Sequence, residues 1–229
     1  MFESALANTI FCFAVCAIVS YLLGSISFAV IITRLFIKKD IRDFGSGNAG
    51  MTNVLRTVGK FPAALTLLGD FSKAVAAVYF SKWFFASFAG GDFVYIVESA
   101  TYIAGIFSLL GHLYPIWFGF RGGKGVLTSA GIFFVIDPLL CTVSIIIFAI
   151  IAFSTGYVSL GSICGLGSAP ILTLVVGLTL RSDSLTTATV LWQTALVFVL
   201  AGISILMHKE NIKRLLNGTE NCFKKKKGK

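Results

Sequence analysis

"GGKGVLTSAGIFFVIDPLLCTVSIIIFAIIAF", Gly122 to Phe153, decides the fold. It opens on a lysine among glycines, runs into apolar chain, breaks at Asp137-Pro138, and continues apolar to its end. Crossing the hydrocarbon core of a membrane takes about 20 apolar residues per helix, fewer for short or half-buried pieces. The run 138–154 approaches that length, and 125–136 falls short of it. Outward from this stretch lie further apolar runs at 8–36, 61–84, 93–117, 159–180 and 188–207. The count is seven spans, or five if 125–154 is one broken hairpin that does not cross fully.

Composition agrees with this reading. Of 229 residues, 56% are hydrophobic and 13% charged, and the mean hydropathy is +0.90. A soluble domain carries about 25% charged residues, so this chain has too little polar surface to cover a water-soluble globule. The expected fold is an all-α polytopic membrane protein. Glu3 and the lack of a basic leader point to a retained first helix rather than a cleaved signal peptide.

Loop charges give an orientation. The 37–60 loop holds Lys38, Lys39, Arg42, Arg56 and Lys60, and the 118–124 loop holds Arg121 and Lys124. The end of the chain holds Lys209, Lys213, Arg214 and the run Lys224 to Lys227. The 85–92 and 181–187 loops are poor in basic residues. Lys and Arg stay in the cytoplasm, which predicts an outside N-terminus and a cytoplasmic C-terminus. The expected organisation is a membrane domain over 1–207 and a basic cytoplasmic tail over 208–229. The net charge of +9 fits topology marking or attraction to anionic lipid. A nucleic-acid partner would need a basic face with base-reading groups, which an embedded chain lacks. Cys12, Cys16, Cys141, Cys164 and Cys222 show no zinc spacing and read as small apolar residues. Gly161 and Gly165, four apart, predict close packing of their helix on a neighbour.

Three polar stretches interrupt the apolar pattern, all on the side expected to be cytoplasmic. "DFGSGNAGMTNVLRTVG", Asp43 to Gly59, contains Gly45, Ser46, Gly47, Asn48, Thr52, Asn53 and Arg56. Glycines let backbone N–H groups turn toward one point and form an anion nest. Hydroxyls and amides add neutral donors, and Arg56 adds a fork suited to two phosphate oxygens. A helix beginning near Met51 would add its N-terminal dipole. "GHLYPIWFGFRGGKGVLT", Gly111 to Thr128, departs from the nucleotide-binding loop, because Phe118 holds the first glycine position and Gly125 follows the lysine. Gly122, Gly123 and Gly125 can still cradle a phosphate, with Lys124 as its point charge and a helix starting at Val126. "HKENIKRLLNGTEN", His208 to Asn221, puts His208 and Asn211 three apart, on one helical face. Asp70 and Lys73, also three apart, form an intramembrane pair that must be satisfied internally. Ser159 and Ser162 open the sixth long apolar run, with helix packing or a polar role both open.

Together these stretches resemble the bacterial acyl-phosphate:glycerol-3-phosphate acyltransferase family, the PlsY type, over nearly the whole chain. "GSIS" at Gly24–Ser27 with "DIRDFGSGNAGMTNVLRTVGK" is similar to the family's first motif. "DFSK" at Asp70–Lys73 follows, and the other two stretches are similar to the second and third motifs. Departures are mild: Ser27 stands where Pro is usual, Ala74 where Gly is frequent, and Leu127 where Ala is common. The resemblance implies seven transmembrane helices, some short, in the bacterial inner membrane, with the active site facing the cytoplasm.

It also implies transfer of a fatty acyl group from acyl phosphate to the 1-hydroxyl of sn-glycerol 3-phosphate, giving lysophosphatidate and phosphate. No cofactor, metal, acyl-CoA or acyl-carrier protein is expected. By the resemblance, Ser46, Arg56, Lys124, Ser162, His208 and Asn211 belong to the site, and Gly122, Gly123 and Gly125 form the glycerol 3-phosphate loop. No carboxylate base stands out among the motifs, which leaves His208 or the substrate's own phosphate to take the proton. A His-x4-Asp dyad is absent, since Trp117 lies five after His112 and Lys213 five after His208. A transporter of phosphate or an organophosphate is the competing reading; it would place its groups near the midplane and often show repeats.

Overall fold

The computed structural model describes residues 2–88 and 94–223. The Lys224 to Lys227 run and much of the 85–92 loop lie outside the described residues. Every regular element among the described residues is helical: α1 (Phe2–Gly24), α2 (Phe28–Ile37), α3 (Met51–Thr57), α4 (Lys60–Phe88), α5 (Val94–Leu113), α6 (Val126–Ile136), α7 (Pro138–Thr155), α8 (Val158–Thr179), α9 (Thr187–Leu206) and α10 (Lys209–Leu216). Short 3-10 turns occupy Ile41–Asp43 and Ile116–Phe118.

Among the described residues six helical stretches are long and apolar enough to cross a membrane: Leu6–Ile37, Lys60–Phe88, Glu98–Phe118, Pro138–Thr155, Val158–Thr179 and Thr187–Leu206. The remaining expected span is α6, whose 11 residues reach about 16 Å at 1.5 Å per residue. That is roughly half of a 30 Å hydrocarbon core. The described residues are therefore those of an all-helical membrane protein, with six stretches of spanning length and the shorter α6.

The backbone forms two compact units, Met1–Ile136 and Asp137–Lys229. In the first, α1 packs on α4 and α5, and α4 also packs on α6. The close approach of α1 to α5 depends on glycine. A methyl at Gly24 would run into the Ser108 carbonyl, and one at Gly111 into the Tyr21 carbonyl. Cys12 and Cys16 are buried beside Phe85 and Ala100, as apolar core residues.

The run expected over 8–36 is one stretch of spanning length, Leu6–Ile37, interrupted at Ser25–Ser27 between α1 and α2. A break at membrane depth exposes backbone groups that need partners inside the protein. Lys73 supplies one: its Nζ donates to the Ile26 carbonyl at 2.6 Å. The same Nζ is 3.0 Å from Asp70 Oδ1 and 3.0 Å from His112 Nδ1. The intramembrane pair is thus satisfied internally, and His112 on α5 joins it.

In the second unit, α8 packs between α7 and α9 in sequence contacts. A methyl at Gly161 would lie 2.6 Å from the Phe148 carbonyl, and one at Gly165 2.9 Å from the Ser144 carbonyl. The close packing expected from the glycine spacing is the α7–α8 contact. Asp137 caps α7, accepting from the Leu139 and Leu140 amides at 3.0 and 3.4 Å. Its other oxygen pairs with Arg181 at 2.9 Å.

Lys73→Met removes the donor of three buried contacts and leaves Asp70 as an unpaired charge. Breaking a buried pair costs about 3–5 kcal/mol. The variant should melt well below wild type in detergent; an unchanged melting temperature would contradict the assignment.

Candidate active site

The first polar stretch is organised by two side chains. Asp40 accepts from the Arg42 amide at 3.0 Å and from Arg42 Nε and Nη2 at 2.9 Å each. It also accepts from Arg34 Nη2 at 2.8 Å. These bonds, the Arg42 side chain first, hold the Asp40 carboxyl well below the usual carboxylate range. Asp40 in turn raises the Arg42 guanidinium above its ordinary value. Arg42 Nη1 then reaches the second polar stretch, donating to the Phe118 carbonyl at 2.5 Å and the Arg121 carbonyl at 3.2 Å. One arginine, read from sequence as a loop charge, staples two loops together.

Asn53 is the second organiser. Its side chain is buried, and Nδ2 donates to the carbonyls of Ile41, Phe44 and Asn48 at 3.2, 2.9 and 3.1 Å. Oδ1 accepts from the Ser46 amide at 3.1 Å. The amide expected to offer a donor to phosphate is spent on the loop's own backbone. Gly45 has φ +58, a left-handed conformation that favours glycine, and a methyl there would run into Asn53 Oδ1. Around this hub Ser46 and Gly47 are exposed, Asn48 and Thr52 are half-buried, and Arg56 is exposed on α3. That helix begins at Met51 as expected, after Gly50.

The second stretch folds back on the end of α5. The Gly122 amide donates to the Leu113 carbonyl at 3.1 Å, and the Gly123 amide to the His112 carbonyl at 3.2 Å. Gly123 has no room for a side chain. A methyl there would run into His112 Nε2 and lie 2.6 Å from the Ala49 carbonyl. Lys124 follows, half-buried, then Gly125 and the start of α6 at Val126. Ser46 and Lys124, far apart in sequence, thus sit on loops that are bonded and packed to each other, with Arg56 on the helix that follows the first loop.

In the second unit His208 is buried at the start of α10, with Nδ1 2.9 Å from the Ser204 carbonyl. A carbonyl can only accept, so Nδ1 carries the proton and a neutral ring has its lone pair on Nε2. Asn211 Nδ2 donates to Glu220 Oε1 at 2.9 Å. Ser159 Oγ donates to the same oxygen at 3.1 Å, and Arg214 Nε to Oε2 at 2.8 Å. Ser162 is buried and donates to the Val158 carbonyl on its own helix at 2.9 Å.

Glu220, in the third polar stretch, is thus the common acceptor of Asn211, Ser159 and Arg214. Burial pushes this carboxyl upward, but hydrogen bonds from Asn211, Arg214 and Ser159 and the charge of Arg214 outweigh it and leave it below its ordinary value. In the sequence it is one of two acidic residues, with Glu210, in a basic segment.

These features define a polytopic helical membrane protein whose glycine-rich loops present cations and hydroxyls. The profile of the family described as glycerol-3-phosphate acyltransferase matches residues 14–218. A glycerol-3-phosphate acyltransferase of Clostridioides difficile is 42% identical over 218 residues, spanning 95% of this chain and 98% of that protein. One from Syntrophotalea carbinolica is 39% identical, over 93% and 98%. A crystal structure of PlsY, an integral membrane glycerol 3-phosphate acyltransferase in its glycerol 3-phosphate form, superposes with a TM-score of 0.73 at 35% identity, covering 96% of both chains. Its lysophosphatidic acid form gives 0.74 at 34% identity, covering 93% of this chain and 95% of that one. The chain belongs to the glycerol-3-phosphate acyltransferase family and is an acyltransferase of the membrane.

A carboxyl lowered on folding contributes stability above its unfolded value, near 4.3 for Glu, and that stability is lost as pH falls through the folded value. Wild type should lose thermal stability on acidification through this region. Glu220→Gln should start lower at neutral pH and respond less to acid, and parallel curves for the two proteins would contradict the assignment.

Proposed function

We propose that this protein moves a fatty acyl group from acyl phosphate to the 1-hydroxyl of sn-glycerol 3-phosphate, the first acylation of phospholipid synthesis. The glycerol oxygen attacks the acyl carbonyl, and the bond from that carbonyl to the phosphate oxygen breaks. The hydroxyl proton leaves with the reaction, and lysophosphatidate and inorganic phosphate are released. Both substrates are phosphorylated, one soluble in water and one anchored in lipid by its chain, so the chemistry belongs at a membrane interface. The observation that supports this most is the joining of two glycine-rich loops by Arg42 and by the Gly123–Ala49 contact, with Lys124 and Ser46 displayed on them and Arg56 on α3.

Acyl phosphate is an activated anhydride, so catalysis needs positioning and charge neutralisation more than a strong nucleophile. Lys124 and Arg56 neutralise phosphate, and the Ser46 hydroxyl supplies a neutral donor. Gly45, Gly47, Asn48 and Thr52 shape the first loop; Gly122, Gly123 and Gly125 shape the second. Ser162, His208 and Asn211 are assigned to the site through the family resemblance. The proton is taken by the acyl phosphate's own oxygen, and His208 orients phosphate. Acyl-CoA and acyl-carrier protein are not donors in this reading.

The basic loops and the positive-inside rule support seven spans, an outside N-terminus and a site facing the cytoplasm of a bacterial inner membrane. The membrane domain then covers 1–207, and the tail from 208 begins with site residues. A transporter is disfavoured because the polar groups gather on loops rather than at mid-span.

Lys124→Ala should keep the fold and lose turnover. A charge-assisted contact is worth about 1.5–3 kcal/mol, roughly ten- to a hundredfold in rate. Wild-type rates in purified Lys124→Ala would move the phosphate site elsewhere.

His208→Gln and His208→Asn should retain measurable turnover with an unchanged pH profile. A general base contributes about 10²–10⁴-fold; a loss of that size in both variants at unchanged substrate affinity would make His208 the base.

A further inference from the structure

Lys73 is buried within α4, and a charged lysine has three N–H donors and no acceptor. Three acceptors surround its Nζ: the Ile26 carbonyl at 2.6 Å, Asp70 Oδ1 at 3.0 Å and His112 Nδ1 at 3.0 Å. Nζ hydrogen-bonds Ile26 and His112 and is ion-paired with Asp70. Asp70 Oδ1 lies farther from His112 Nδ1, at 3.6 Å, so the lysine is the nearer partner of the ring. Because Lys73 donates to Nδ1, that nitrogen holds a lone pair and the ring proton resides on Nε2. The ring is neutral and its orientation is fixed from behind.

The other edge of the ring faces the glycine loop. Nε2 occupies the space that a side chain at Gly123 would need, and the Ala49 carbonyl closes the same space from the first polar stretch. The backbone adds to this register: the Gly123 amide bonds to the carbonyl of His112 itself, at 3.2 Å. Ring and carbonyl of one residue therefore both bear on Gly123, and Lys124 is the next residue. Nε2 carries the proton, so His112 is no base; what it offers the loop is a rigid surface at a fixed height.

We propose that His112 is a positioning residue for acyl transfer: gripped by Lys73 at Nδ1, its ring sets through Gly123 where Lys124 meets the phosphate of the substrate. This rests on the assignment of Lys124 to the phosphate site. The two edges of the ring then do separable work. Nδ1 serves the buried lysine and hence stability, and the Nε2 edge serves the loop and hence substrate binding.

Asn can replace the Nδ1 edge and Gln the Nε2 edge. In the full-length detergent-purified protein, His112→Asn should melt near wild type but show a KM for glycerol 3-phosphate raised on the order of ten- to a hundredfold, the scale of an ångström-size misplacement. His112→Gln should melt lower, and its folded fraction should keep a KM close to wild type. A merely structural role predicts the opposite pattern, with activity lost in proportion to folded protein and KM unchanged in both; that result would overturn the proposal. If His112→Gln does not fold, the pair Gly123→Ala and Gly123→Ala/His112→Asn decides. Trimming the ring should make the double variant lose several-fold less kcat/KM than the product of the single losses, whereas simple multiplication would overturn the proposal. An inactive wild type would overturn the functional reading and this inference together; equal KM values in active variants overturn this inference alone.

Discussion

A lysine ammonium buried in a membrane-spanning helix must place all three donors on protein acceptors, because the surrounding hydrocarbon offers none. Lys73 meets this demand on three separate parts of the first unit: an ion pair with Asp70 one turn away on α4, a hydrogen bond to Ile26 at the α1–α2 break, and another to His112 on α5. The constraint reaches well past the charge itself. It lets the first long apolar run break without leaving the Ile26 carbonyl unsatisfied. It fixes the end of α5 from which the glycine loop departs. It also binds three helical elements at a point where apolar packing alone would leave their rotation loosely specified.

The loops inherit that rigidity through a second set of contacts. Arg42 is clamped by Asp40 and spends its outer nitrogen on the Phe118 and Arg121 carbonyls. Asn53 gathers the backbone of 41–48 around one amide. A phosphate site made of loops needs such support, because cations and hydroxyls stabilise an anion well only when their positions are set in advance. The glycines do the converse task. At Gly123 the absence of a side chain admits His112 and the Ala49 carbonyl to the same small volume.

Much of this was legible in the chain. The spanning helices followed from apolar length, because bilayer thickness leaves little choice of length. The starts of α3 and α6 and the break before α7 followed from Gly and Asp-Pro. Asp70 and Lys73 could be paired because they share a helical face. What stayed hidden depends on partners remote in sequence. The break at Ser25–Ser27 is supported by a lysine 47 residues away, and no local pattern announces it. His112 meets that lysine across 39 residues. Glu220 reads as a stray acid in a basic segment until Ser159, 61 residues earlier, is seen to reach it. Asn53 looked like a ligand donor because its residue type suits both that role and the internal one; geometry alone separates them.

The central claim is that the protein supports acyl transfer from acyl phosphate to glycerol 3-phosphate. The most direct test is to incubate the purified full-length protein in detergent with palmitoyl phosphate, with and without glycerol 3-phosphate, and to measure phosphate and lysophosphatidate together. The account predicts that phosphate release depends on glycerol 3-phosphate and matches lysophosphatidate one for one. Phosphate release independent of glycerol 3-phosphate, or lysophosphatidate formed from palmitoyl-CoA but not from palmitoyl phosphate, would contradict it.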